Sequence, residues 1–194
     1  LPWRPYTVYL PGVQVGRSPH GPRPRLSALY YDTTISGEPD EAFQVWNLGS
    51  DEVSLLGWSV SDGAHTATFP DLVVPPRSGV WCAYSAAAFR FTFVTAPACE
   101  YGPATDQSAA HLAGPALHFS NTGGRLSLFA PSGAPADTLV YKAGKAGDGW
   151  VGEAVQPWHP LGFSEEGQIL TRKRDEATGR PLADIGRATA WASA

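Results

Sequence analysis

Hydrophobic and polar positions alternate along short segments of this chain, and Gly, Pro, Asn and Asp mark the ends of those segments. Alternation with a period of two is typical of β-strands that bury one face, whereas a longer period indicates helices. The pattern predicts about nine strands at a spacing of roughly 8–12 residues, joined by tight turns. Ten candidate segments show the alternation, namely Leu26–Tyr31, Phe43–Leu48, Val53–Leu56, Trp58–Ser61, Thr66–Phe69, Gly79–Tyr84, Ala116–Phe119, Arg125–Ala130, Asp137–Lys142 and Gln168–Lys173.

One segment has the pattern of a helix. Ser85 can cap it, a run of alanines follows, and Phe89 and Phe93 fall on one face because they are four residues apart. A single short helix among many strands predicts an all-β fold, an immunoglobulin-like β-sandwich, rather than an alternation of strands and helices. The side chains expected in its core are Val45, Leu55, Trp58, Phe69, Leu126 and Leu128, with Trp58 as the large central one.

Composition divides the chain into two parts. Residues 1–25 contain six prolines and four arginines but no acidic residue, and they predict an extended basic linker. Residues 26–194 predict the sandwich domain, in which residues 143–194 are a Gly- and Trp-rich extension with one further strand. Because the whole chain has a net charge of −4, the domain itself is acidic, which argues against nucleic acid as its partner. We expect a monomeric domain.

The cysteines and methionines bear on where the protein is found. Cys82 and Cys99 can form one disulfide or remain as two buried thiols, and the sequence leaves both open. Since the chain contains no methionine, we expect it to be part of a longer protein or to follow a removed segment. No run of about 18 apolar residues occurs, so we expect no membrane-spanning helix.

Motifs that carry catalysis are absent from the sequence. None of the five histidines is followed two positions later by lysine, as phospholipase D-type catalysis requires, and there is no His-Glu-x-x-His or Gly-x-Ser-x-Gly motif. Gly147, Gly149 and Gly152 match a dinucleotide fingerprint letter by letter. The prolines at 157 and 160 exclude the helix that this fingerprint needs, so we expect no cofactor.

Acidic residues provide the one candidate metal site. Asp32, Glu38, Asp40 and Glu41 lie in one predicted loop and could supply oxygen ligands to Ca²⁺. A solvated loop without a bound metal is the favoured interpretation.

Basic and aromatic residues near the end of the chain give two further candidates. Arg172-Lys173-Arg174 could form a phosphate patch, but the acidic residues at 175 and 176 neutralise much of it. Trp150 and Trp158 could form a binding surface by stacking on a sugar or a partner's side chain. They could equally close the end of the core, which is the favoured interpretation.

A family resemblance rests on Glu41–Asn47, Gly49-Ser50, Leu55–Gly63 and Phe69-Pro70. In this order and spacing they closely resemble the lamin-tail domain in its bacterial, extracellular version. That family has an acidic residue, an apolar strand ending in Asn, a Gly-Ser turn, a strand with Leu-x-Gly-Trp and a Phe-Pro stop. The resemblance covers about residues 26–142, and its departures include a Gln at position 44 where the family has glutamate.

The resemblance implies an immunoglobulin-like module of a longer bacterial protein at the cell surface or outside the cell. Such modules accompany secreted hydrolases, including nuclease and phospholipase D-like enzymes. The sequence therefore favours a non-catalytic binding, adhesion or spacer module, whose partner is a protein or a carbohydrate rather than nucleic acid. A nuclear lamina-like structural role is disfavoured, because the chain contains no coiled-coil heptads.

The alternative function is an accessory or catalytic part of a phosphodiesterase or phospholipase D-like hydrolase. It makes a definite structural prediction: two or more carboxylates converge in a pocket and have raised pKa values. The residues in question are Asp32, Glu38, Asp40, Glu41 and Asp62.

Overall fold

A computed structural model of the chain describes residues 23–159, 164–183 and 186–193, and within them the protein is a β-sandwich. The strands are β1 (Pro24–Tyr30), β2 (Ala42–Asn47), β3 (Val53–Ser54), β4 (Ser59–Ser61), β5 (Thr66–Thr68), β6 (Val73–Val74), β7 (Gly79–Ala83), β8 (Cys99–Glu100), β9 (Ala110–His111), β10 (Gly123–Phe129), β11 (Pro135–Lys142), β12 (Ile169–Arg172) and β13 (Trp191–Ser193). One α-helix, α1, spans Ala86–Phe93. The predicted fold class is confirmed, with thirteen strands in the described residues rather than nine.

Two sheets and a small ribbon make up the sandwich. The larger sheet has the order β13-β12-β1-β2-β7-β8-β9, and the smaller has the order β11-β10-β4-β5. Strands β3 and β6 form a two-stranded ribbon of their own. Pairing is antiparallel except that β8 lies parallel to both β7 and β9. The chain therefore makes one β7–α1–β8 crossover, which the sequence pattern did not predict because β8 has only two residues.

The core lies between the two sheets and is centred on Phe43. Its ring contacts those of Phe69, Tyr101 and Phe119 at centroid distances of 6.3, 5.5 and 6.3 Å. Trp58 does not hold the expected central place. It is half-buried and lies one residue before β4, in a turn closed by its N–H on the Leu55 carbonyl at 2.9 Å. The other residues expected in the core are buried, namely Val45, Leu55, Phe69, Leu126 and Leu128.

Helix α1 packs on the outer face of the larger sheet. Ser85 is its N-cap, and the Ser85 hydroxyl accepts from the Ala88 N–H at 3.3 Å. Phe89 and Phe93 face the same side, with ring centroids 4.5 Å apart, and Phe89 is buried against Ala42 and Ala83. No helix of the described residues is long and apolar enough to cross a bilayer.

A disulfide joins the two strands that flank α1. Cys82 and Cys99 are directly opposite each other on β7 and β8, with Cα atoms 4.4 Å apart, and both are buried. The bond closes the crossover into a covalent loop with a sequence separation of 17 residues. Of the two states that the sequence left open, the structure has the bridged one.

The predicted linker and the predicted extension both take part in the larger sheet where the structure describes them. Residues 1–22 lie outside the described residues, but β1 begins at Pro24, so Pro24 and Arg25 already pair with β2. On its other side β1 pairs with β12, and β12 pairs with β13. The last part of the chain therefore completes the sheet in which β1 is an inner strand.

The predicted strand Ala116–Phe119 is irregular in the structure. The His118 N–H donates to the Asp62 carboxylate at 2.8 Å instead of to a neighbouring strand. Leu117 and Phe119 nevertheless point into the core and are buried. The segment shows the alternation of a strand because the Leu117 and Phe119 side chains are buried. It is not a strand, because the His118 N–H bonds the Asp62 side chain rather than the backbone of a neighbouring strand.

A buried ion pair connects the two sheets. Arg172 of β12 and Asp137 of β11 have fully buried side chains and bond directly to each other. Asp137 also accepts the Leu26 N–H at 2.9 Å, and the Arg172 Nε donates to the Leu26 carbonyl at 2.7 Å. The guanidinium lies 4.8 Å from the ring of Trp191 in β13. Arg172 is therefore part of the core and not of the phosphate patch that the sequence offered.

Breaking this ion pair should destabilise the fold strongly. Asp137→Ala leaves the Arg172 charge buried without its carboxylate, and we expect a loss of about 3–5 kcal/mol in the free energy of unfolding, measured by urea denaturation. Glu165→Ala, which removes the partly exposed ion pair with Lys142, is the matched control and should cost much less. A loss as small as that of the control would contradict the structural role assigned to the pair.

Opening the disulfide should also lower stability. In the chain-entropy description, a loop of this length contributes about 3 kcal/mol. We expect that loss in chemical denaturation of the wild-type protein with reductant compared to without it. The double variant Cys82→Ala, Cys99→Ala should show no response to reductant, and a wild-type protein that is equally indifferent would show that the bond is absent.

Candidate functional site

The acidic loop between β1 and β2 does not bring all its carboxylates together. Asp40 is buried and accepts from the hydroxyls of Thr33 and Thr92 at 2.6 and 2.7 Å, so it ties the loop to α1. Burial raises the pKa of Asp32, followed by the charge of Glu38. Glu38 does not share these partners. Its backbone has a positive φ of 52°, and its carboxylate accepts a hydrogen bond from the Asn121 side chain at 2.6 Å.

Asp62 organises a neighbouring loop. Its carboxylate accepts the N–H groups of Ala64, His65 and His118 at 2.7, 2.6 and 2.8 Å. Burial by itself would raise the pKa of Asp62, but these hydrogen bonds outweigh it and lower the pKa. Asp62 therefore holds the segment that contains His118 and Phe119 against the end of the sandwich.

The acidic loop and the segment that contains His118 and Phe119 enclose a pocket of about 240 Å³, which we call the Glu41 pocket. It is lined by Gly37, Glu38, Glu41, Tyr84, His118 and Phe119. Glu41 immediately precedes β2, and Tyr84 immediately follows β7, so the larger sheet positions both. The backbone fixes their relation, since the Tyr84 N–H donates to the Glu41 carbonyl at 2.7 Å.

Glu41 has an unusual electrostatic environment. Its side chain is only 6% exposed, and burial together with the charge of Glu38 raises the pKa of Glu41 to about 9. The N–H of Phe119 opposes this rise but does not cancel it. At neutral pH the carboxyl group of Glu41 is therefore protonated, which makes it a proton donor at the wall of a small pocket.

These positions decide two expectations from the sequence. Of the calcium candidate formed by Asp32, Glu38, Asp40 and Glu41, the structure brings Glu38 and Glu41 into one pocket, and among the residues that it describes no group of three or more His, Cys, Asp or Glu side chains could hold a metal ion. The hydrolase alternative requires two or more of five carboxylates in one pocket, with raised pKa values. Glu38 and Glu41 share a pocket and the pKa of Glu41 is raised, whereas Asp32, Asp40 and Asp62 do not line it.

A second candidate site lies on the outer face of the larger sheet, in a groove of about 350 Å³ that we call the sheet groove. It is lined by Ser27, Ala28, Gln44, Trp81, Ile169, Thr171, Arg172, Lys173, Arg174 and Pro181. Gly79 leaves room for Gln44, which lines the groove, because a Cβ at Gly79 would lie 2.6 Å from the Trp46 ring and 3.0 Å from the Gln44 amide carbon. The guanidinium of Arg174 covers the Trp46 ring at 5.0 Å.

A wider cleft of about 670 Å³ lies beside the sheet groove, and we call it the arginine cleft. Arg23, Arg77 and Arg180 line it together with one carboxylate, Asp175. Pro181 lines both cavities, so the two adjoin each other. Sequence reasoning missed this cleft, because the three arginines are far apart in the chain and only the fold brings them together.

The two tryptophans proposed as a binding surface have different environments. Trp150 is 6% exposed, belongs to the core and donates from its indole N–H to the Glu153 carbonyl at 3.2 Å. Trp158 is 58% exposed, and the Gln168 amide bonds its backbone on both sides, at 2.9 and 2.6 Å. Trp150 therefore closes the core, and the pair does not form one surface. The nearby Gly147 begins a turn, with its carbonyl accepting from the Trp150 N–H at 3.0 Å.

Comparison with known proteins supports the fold. The structure is similar to that of a DUF4876 family protein from Bacteroides thetaiotaomicron VPI-5482, with a TM-score of 0.63 and 14% sequence identity. The similarity covers 87% of this chain and 70% of that one, and at this identity it shows the fold alone. No protein-family model and no curated protein matches the chain.

The protonated state of Glu41 predicts a pH-dependent stability. The folded protein holds a proton that the unfolded chain, with an ordinary pKa of 4.5, releases. The resulting stabilisation is complete below the unfolded pKa and is lost as the pH rises through about 9. Between about pH 5 and pH 8, the wild type should lose up to about 1.4 kcal/mol per pH unit relative to Glu41→Gln.

Urea denaturation of the two proteins across this pH range measures the difference. The Gln variant keeps the shape of the protonated carboxyl but has no proton to lose, so all other titrations cancel in the comparison. Parallel pH profiles for the two proteins would show that Glu41 is ionised in the folded state.

Proposed function

We propose that this chain is a non-catalytic binding module of a longer exported protein, and that it binds an acidic oligosaccharide across the sheet groove and the arginine cleft. The observation that carries the proposal is the sheet groove, where an indole ring, an amide, hydroxyls and cationic side chains line one open cavity. Sugars present both apolar C–H faces and hydroxyl groups, and such a mixture of aromatic and polar side chains suits both.

Trp81 provides the aromatic wall. Its ring lies against those of Phe89 and Phe93 of α1 at 5.6 and 6.1 Å, and is nearly parallel to that of Phe93, at 16°. The ring remains half-exposed toward the groove. Because the helix fixes the ring before a ligand arrives, stacking of a sugar on it costs little conformational entropy.

The polar floor is also fixed in advance. The Ser27 hydroxyl donates to the Gln44 Oε1 at 2.7 Å, which directs the amide and leaves its NH₂ group to donate to a ligand hydroxyl. Lys173 and Arg174 are exposed at the edge of the groove. Together with the three arginines of the arginine cleft, they favour a sugar chain that carries carboxylate or sulfate groups.

Export of the protein is supported by its disulfide. A bridge between Cys82 and Cys99 is compatible with an oxidising compartment such as the outside of a bacterial cell. The proposed kinship with extracellular lamin-tail modules rests on the sequence motifs. The residues that form these motifs also stabilise the fold. Asn47, for example, is fully buried, and its amide bonds the carbonyls of Asp51, Val74 and Pro75 at 2.7, 3.1 and 3.2 Å.

The phosphodiesterase alternative is less well supported. Its partial support is the pocket shared by Glu38 and Glu41, with the raised pKa of Glu41. A phosphodiester is negatively charged, however, and the described residues that line this pocket include two carboxylates and no lysine or arginine. The pocket would therefore repel such a substrate, since phosphoryl groups need cationic or N–H partners.

Binding to a glycan array tests the proposal. We expect the protein to retain uronic acid- or sulfate-containing oligosaccharides in preference to their neutral counterparts, with an affinity that falls as the salt concentration rises. Lys173→Ala and Trp81→Leu should each weaken binding about tenfold or more, because a charge-assisted hydrogen bond or a stacking surface is lost.

Lys145→Ala is the matched control, because Lys145 is exposed in the loop after β11, away from the residues that line the groove. It removes the same charge and should leave binding unchanged. Equal losses in Lys173→Ala and Lys145→Ala would mean that only net charge matters, and an array without any retained glycan would exclude carbohydrate as the ligand.

A further inference from the structure

The Glu41 pocket lies apart from the two cavities of the proposed function. It adjoins the Ala42 end of β2, whereas Leu48, Gly49 and Ser50, beyond the other end of the same strand, line the arginine cleft. At about 240 Å³ the pocket is smaller than the roughly 300–1,000 Å³ of sites for drug-sized molecules, so it suits a group the size of one side chain.

The lining of the pocket contains two carboxyl groups and, among the described residues, no lysine or arginine that would balance their charge. Glu38 and Glu41 both face it, and neither forms an ion pair with a lysine or arginine of the described residues. A buried carboxyl group ordinarily has a cationic or fully hydrogen-bonded environment. Among the residues that the structure describes, the Phe119 N–H is the one donor to the Glu41 carboxyl group, while an ionised carboxylate can accept several hydrogen bonds.

We propose that the Glu41 pocket binds a primary alkylammonium group, such as a lysine side chain, and that Glu41 releases its proton to solvent when the cation enters. The ammonium has three N–H donors, which suit the carboxylates of Glu38 and Glu41. Its alkyl stem can lie against Tyr84, which lines the pocket and is half-buried against Tyr101 at 5.9 Å. The new ion pair forms between the ammonium and the carboxylate of Glu41.

The exchange of charge balances. Before binding, the Glu41 carboxyl is neutral and the amine is a cation; afterwards the carboxylate and the cation are paired, and one proton has passed to the buffer. Among the described groups that face Glu41, Glu38 and Asp40 add negative charge and favour the protonated carboxyl. Tyr84 and His118 line the pocket, and Tyr101 and Tyr141 interact with Glu41 while burial raises their own pKa values.

A divalent metal ion suits the pocket less well than an ammonium group does. Hard cations such as Ca²⁺ take six to eight oxygen ligands, whereas the described residues offer no group of three acidic or histidine ligands here. An ammonium ion needs no fixed coordination number. The oxygen atoms of the two carboxylates provide acceptors for its three donors.

Isothermal titration calorimetry with n-butylammonium chloride tests the proposal. In buffers of different ionisation enthalpy, the observed heat reports the number of protons released, which we expect to be close to one at about pH 7. The association constant should rise by nearly tenfold per pH unit up to about pH 8 and level off near the pKa of Glu41 in the free protein. Absence of binding at about pH 8 would overturn the proposal.

Two variants separate Glu41 from general electrostatics. Glu41→Gln should weaken binding about tenfold or more and abolish proton release. Glu38→Gln should also weaken binding, and because the charge of Glu38 raises the pKa of Glu41, its affinity should level off at a lower pH than that of the wild type. Glu52→Gln, which removes an exposed carboxylate beyond the other end of β2, is the control and should change neither quantity.

Thermal unfolding of each variant shows whether it is folded at the temperature of the titration. Glu38→Gln alters a half-buried side chain, so it keeps the test decisive even where Glu41→Gln does not fold. Proton release that persists in folded Glu41→Gln would overturn the proposal. So would binding of Ca²⁺ with the same proton release in the absence of amine binding, since the pocket would then be a metal site.

The source of the ammonium group is distinguished by a second ligand. A blocked tripeptide with a central lysine presents the group as a protein side chain, and its glutamine counterpart lacks the charge. Tighter binding of the lysine peptide than of n-butylammonium supports the proposal with a protein partner as the source. Binding of n-butylammonium alone supports it with a free amine as the source, and equal binding of the two peptides overturns it.

Discussion

The sandwich depends on one constraint: the two sheets must be joined where the backbone pairing of β1 with β12 stops. That pairing covers Ala28 to Tyr30. Just beyond it, the Asp137 carboxylate accepts a hydrogen bond from the Leu26 N–H, and the Arg172 guanidinium donates one to the Leu26 carbonyl. One ion pair thereby satisfies a free piece of backbone and links strands of both sheets. Since charges buried this deeply are tolerated only when they are paired, the position of each sheet is fixed relative to the other.

Both candidate surfaces follow from how the larger sheet is covered. Helix α1 lies over Ala42 and Ala83 but leaves the neighbouring part of the outer face open, and the sheet groove is that open part. The Glu41 pocket forms where the loops at the end of the same sheet meet. The cationic groove and the acidic pocket are on one acidic domain, so local placement, and not net charge, decides which ligands each of them can hold.

Much of this architecture could be predicted from the sequence, and the failures have physical causes. Alternation identified the longer strands, and the capping pattern identified α1 together with its Ser85 cap. Strands β8 and β9 have two residues each, too few for a period to be visible, and they form only because a parallel neighbour is present. The burial of Arg172 could not be predicted, because a charged residue ordinarily marks a solvent-facing position and its buried partner Asp137 is distant in sequence.

The candidate site could be predicted only in part. The sequence placed Glu38 and Glu41 in one acidic loop, but the wall formed by His118 and Phe119 comes from a segment about 80 residues away, positioned by Asp62.

The position of β1 in the larger sheet affects how the protein folds during its synthesis. Its partner β12 lies some 140 residues later, so a growing chain carries β1 with one side unpaired until nearly the whole domain has been translated. Folding is therefore expected to be slow, and a partly synthesised chain exposes an open strand edge to its neighbours.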